Sequence, residues 1–79
     1  MKPYIVVQTQ VTEDGVSEIV DVWEILAGNA YKAIEAVAKG TSRLNWLWFA
    51  SSFGLQFHNP KAGYKHGSSR DYMTAYEDE

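Results

Sequence analysis

The segment from His58 to Arg70, HNPKAGYKHGSSR, gathers Lys61, Lys65 and Arg70 with two histidines and two glycines, and it holds no acid. A basic, glycine-containing loop can offer backbone amides and cations to a phosphate group. The spacing does not reproduce a known phosphate cradle. A P-loop requires G-x-x-x-x-G-K-[ST], which GYKHG (residues 63–67) is not, and a KH-type RNA loop needs two residues between its glycines where this chain has three. Three cations would contribute a modest counterion-release term, about 0.9 in salt slope per phosphate contact on B-DNA. The plainer reading is a solvated basic loop over 58–70.

Two other chemistries are suggested by the same stretch. His66, Ser68, Ser69 and Asp71 crowd into HGSSRD. A nucleophilic triad, however, is normally assembled from separate elements that orient one another, so this crowding argues against catalysis. His58, His66 and Asp71 would make a sparse metal set, with no H-x-x-x-H helix and no cysteine to complete it. The sequence therefore predicts no catalytic, cofactor or metal site.

Aromatic side chains offer a different kind of chemistry. Trp46, Trp48 and Phe49, followed by Phe53 and Phe57, are dense enough to stack on unpaired bases or to bury against a protein. The chain needs bulk for its core, so a shared role in core and protein interface is favoured over base stacking. The expected partner-binding residues are thus Trp46, Trp48 and Phe49 as apolar contacts, with Lys61, Lys65 and Arg70 steering the partner.

These groups must be positioned by the elements around them. Residues 4–12 alternate, with Ile5, Val7, Thr9 and Val11 on one face and Tyr4, Val6, Gln8 and Gln10 on the other, the period of a half-buried strand. Asp14-Gly15 supplies a hairpin turn, and VSEIVDVWEI (residues 16–25) returns as a second strand. Next, Asn29 is suited to cap a helix whose apolar stripe is Ala30, Ala33, Ile34, Val37 and Ala38, and Gly40 to close it. A second hairpin pairs the stretch around Trp46–Phe49 with residues 55–58, and Ser69 can start a short C-terminal helix carrying Tyr72, Met73 and Tyr76. The expected fold is α+β: a small antiparallel sheet in ββαββ order with one helix on a face.

A chain of 79 residues is one domain. At that length only about 60–65% of the unfolded surface is buried on folding. With no cysteine to form disulfides, the three tryptophans, five tyrosines and three phenylalanines must compensate. The charge is segregated: residues 1–40 carry six acids against Lys2, Lys32 and Lys39. Residues 41–70 carry four cations and no acid, and residues 71–79 form an acidic tail with Asp71, Glu77, Asp78 and Glu79. No apolar run reaches the length of a membrane span and the N-terminus lacks a signal-peptide core, so a cytoplasmic protein without membrane partners is expected.

The general plan of a hairpin, an alanine-rich helix and further strands, in an acidic cysteine-free chain, resembles that of small phage-encoded proteins. Several of those bind and inhibit a host enzyme or a defence complex. The resemblance covers size and architecture and carries no residue across. It implies a non-enzymatic module that binds a larger protein and inhibits it by occlusion. A nucleic-acid-binding regulator and a homo-oligomeric structural protein are the alternatives.

Overall fold

The computed structural model describes residues 1–41, 47, 56–59, 63–67 and 70–78. Strand β1 (Lys2–Val11) turns through Glu13-Asp14-Gly15 into β2 (Ser17–Ala27). Gly15 takes φ 80°, where an L side chain is disfavoured. Thr12 closes the turn, its amide donating to the Val16 carbonyl at 2.9 Å and its carbonyl accepting from Gly15 N–H at 2.9 Å. The β1–β2 ladder runs from Lys2 opposite Ala27 to Val11 opposite Ser17. It steps from Gln8–Asp21 to Thr9–Ile19, leaving Val20 as a bulge in β2.

Helix α1 (Ala30–Thr41) follows. Asn29 caps it, with Oδ1 accepting from the Lys32 amide at 2.8 Å and its carbonyl from the Ala33 amide at 3.0 Å. Replacing Asn29 with Ala is expected to cost about 1 kcal/mol, read as a lowered urea midpoint at unchanged slope; an unmoved midpoint would mean the cap is dispensable. Gly40 was expected to end the helix in a left-handed conformation. Instead it lies inside the helix, which continues through Thr41. Glycine accepts helical angles at about 1 kcal/mol relative to Ala, and no proline follows to stop the chain.

The predicted stripe is the buried one: Ala33, Ile34, Val37 and Ala38 are all in the core with Tyr4, Val6, Ala27, Met73 and Ala75. Trp23 and Ile25 of β2 pack on its margin. The helix thus covers the face of the sheet that carries Tyr4 and Val6. Alanines along the stripe let it lie close.

The C-terminal half differs from the expectation. Strands β3 (Gln56–Asn59), β4 (Gly63–Gly67) and β5 (Asp71–Glu77) complete a five-stranded antiparallel sheet in the order β2-β1-β5-β4-β3. The element order is therefore ββαβββ, and the short C-terminal helix is replaced by β5. The physical reason lies in the alternation of DYMTAYE. Met73 and Ala75 go to the helix side with Val6, and Thr74 to the other side opposite Val7, so each side has a burial to gain.

The second hairpin is also revised, since β3 pairs with β4. Of its predicted first strand, Leu47 has helical backbone and is exposed, and the rest lies outside the described residues. The basic stretch 58–70, read as a loop, contributes the end of β3 and the whole of β4.

Candidate functional site

Pairing across the ladders assigns each strand residue to a face. Opposite the helix, the sheet carries Pro3, Ile5, Val7, Thr9 and Val11 from β1, and Leu26, Glu24, Val22 and Ile19 from β2. From β5 it carries Tyr76, Thr74 and Tyr72, and from β4 Lys65. In the middle of this side Thr74 is buried at 2% exposure and Thr9 at 9%, and Ile5 and Val7 are half-buried. Ile19 is 69% exposed, Leu26 62%, Val22 50% and Tyr76 40%. Single exposed apolar residues are ordinary, but a contiguous set on one flat face is characteristic of an interaction site.

The charged groups on this face sit at its two sides. Glu24 is exposed on β2, opposite Ile5. Lys65 is on β4, opposite Thr74, with Nζ 4.4 Å from the centre of the Tyr72 ring, a cation–π contact. Between them lie Ile5, Val7, Tyr72 and Tyr76, with the buried Thr9 and Thr74.

The outer edge of β2 is guarded against strand addition. It carries Glu18, Asp21 and Glu24, its ladder is broken by the Val20 bulge, and the Asp21 carboxylate accepts from the Val22 amide at 2.8 Å. Bulges and charges are the usual means of blunting an edge strand.

The sequence-predicted residues fall in different places. Lys65 lies on the open face. Arg70 is exposed in the β4–β5 connection, where its carbonyl accepts from the Val11 amide at 2.7 Å and extends the β1–β5 ladder. Trp46, Trp48, Phe49 and Lys61 lie outside the described residues. His66 is fully buried on the helix side, edge-on to Tyr31 with ring centres 6.4 Å apart. In the acidic tail, Glu77 pairs with Lys2 at 3.4 Å.

Sequence reasoning missed Ile5, Val7, Ile19, Val22, Leu26 and Tyr76 as a surface. A signal was present, since β1 is apolar on both faces while a single helix can cover only one. A depression of about 210 Å³ lined by Pro3, Tyr4, Glu24, Ile25, Leu26 and Asp78 is smaller than ordinary small-molecule sites. Among the described residues, no group of three His, Cys, Asp or Glu stands close enough to hold a metal, and no helix is long and apolar enough to cross a membrane. No protein-family model, no curated protein and no solved structure matches the chain.

Proposed function

We propose that this protein is a non-enzymatic interaction module that binds protein through the open face of its sheet. The observation that carries this reading is the exposure of Ile19, Val22 and Leu26 on β2 and of Tyr76 on β5, with the half-buried Ile5 and Val7 between them on β1. Apolar residues held on adjacent strands lose little further entropy on docking, so their burial counts toward affinity. Occlusion of a larger target and self-association are both forms such binding can take.

The nucleic-acid alternative draws less support. Lys65 is accompanied on this face by Glu24, and the ladders assign no other cation to it among the described strands. A phosphate-tracking groove needs a row of cations.

The test is retention of protein by the tagged chain, offered a cell lysate and, separately, its own untagged form, with and without nuclease. The double variant Val22→Glu/Leu26→Glu is expected to lose the retained protein while its melting temperature stays near the parent's, because both side chains are exposed. Equal retention by the variant, or retention abolished by nuclease, would remove the proposal.

A further inference from the structure

We infer that the occupant of the open face is a second copy of this chain, packed sheet against sheet about a two-fold axis that runs along the strands between β1 and β5. This rests on the reading of that face as an interface and names its partner. Glu24 and Lys65 are the charged residues that the ladders assign to the open face of the described strands, and they are three strands apart, on β2 and β4.

A two-fold axis along the strands lays β2 over the partner's β4 and β1 over the partner's β5. Each Glu24 then lies above the strand that carries Lys65 of the partner subunit. The ladders put the two positions two residues apart, Glu24 beside Ile5 and Lys65 in the row of Val7. That offset is about 7 Å along a strand, and Lys65, which leans onto Tyr72 in the row of Thr9, has to leave that ring and turn toward the row of Ile5 to span it. Symmetry makes the pair twice, on either side of a centre where the half-buried Ile5 faces the exposed Tyr76 of the partner subunit and Val7 lies over the row of the buried Thr74. An axis across the strands would instead bring Glu24 next to the partner's Glu24 and Lys65 next to the partner's Lys65. Self-complementarity of this kind is the requirement of a two-fold interface.

Size and the edge point the same way. Four strands of five to eleven residues give a footprint of roughly 500 Å² before side-chain relief, from strand spacing and rise. Stable interfaces bury about 600–1,000 Å² per partner, so the whole face is needed and aligned sheet packing supplies it. Pairing two copies through β2 is opposed by the bulge and by the three acids on that edge.

The experiment is sedimentation equilibrium of the untagged chain at low salt, over a concentration series, with Glu24→Lys, Lys65→Glu and the double swap. The parent is expected at twice its 8.9 kDa mass. Each single reversal is expected to raise the dissociation constant about tenfold, and the swap to return it to within about threefold of the parent. Circular dichroism melts check that every variant is folded. A monomer at all concentrations overturns the inference, as does a swap no tighter than the single reversals. A monomeric chain that still retains a lysate protein through Val22 and Leu26 would refute the dimer and leave the interaction module standing. A monomer that retains nothing would refute both.

Discussion

Replacing Ile34 with Ala is expected to destabilise the protein by about 2–5 kcal/mol, the range for emptying a large aliphatic site in a core. Ile34 is fully buried at the centre of the helix stripe, between Ala33 and Val37, and faces a sheet surface made by Val6, Met73 and Ala75. Its neighbours on the helix are small, so little can move in to fill the space it leaves. A domain of this length has a total stability of about 4–12 kcal/mol, and each kcal/mol corresponds to roughly 4–8 °C in Tm. The variant should therefore melt at least about 10 °C lower and could be partly unfolded at room temperature. Thermal melts followed by circular dichroism decide it. A shift under about 3 °C would mean that the helix does not rest on the sheet through this residue.

How much of this was legible in the sequence follows from the range of each interaction. The β1–β2 hairpin is local: alternation sets the faces, Asp14-Gly15 supplies the turn, and the paired strands are neighbours in the chain. The helix is also local, and Asn29 and the alanine stripe were both readable. Gly40 misled because glycine punctuates a helix only where the next residues turn away.

The sheet order is not local. β1 pairs with β5, joining the two ends of the chain from Tyr4 with Glu77 to Gln10 with Asp71. Nothing within either segment names the other. The end of the chain reads locally as a short helix carrying Tyr72, Met73 and Tyr76 before its acids, whereas Met73, Thr74 and Ala75 are buried in a strand. The same non-locality hid the open face, which exists as a surface only after β2, β1 and β5 are set side by side. Of the predicted contact residues, Lys65 lies in β4 at the rim of that face.

Ending the chain at Arg70 is expected to abolish folding altogether. The segment removed would be the acidic tail by composition, and a solvated tail can be cut without consequence. In the fold it contains β5, the strand between β1 and β4. Its loss separates β2-β1 from β4-β3, and an isolated two-stranded hairpin is marginal at best in water. It also takes Met73 and Ala75 out of the core and leaves the inner edge of β1 without its ladder from Tyr4 to Gln10. The helix would keep Val6 and Ala27 beneath it but lose the central strand on which it rests. No single substitution removes as much at once. The truncated chain should give a far-ultraviolet spectrum dominated by disorder and amide proton shifts collapsed toward random-coil values. A cooperative melt close to that of the full chain would show that the sheet closes without β5, and the strand order would then have to be redrawn. A graded series separates the two outcomes further: cutting after Glu77 should be nearly silent, since the strand is intact, whereas cutting after Tyr72 should already unfold the chain.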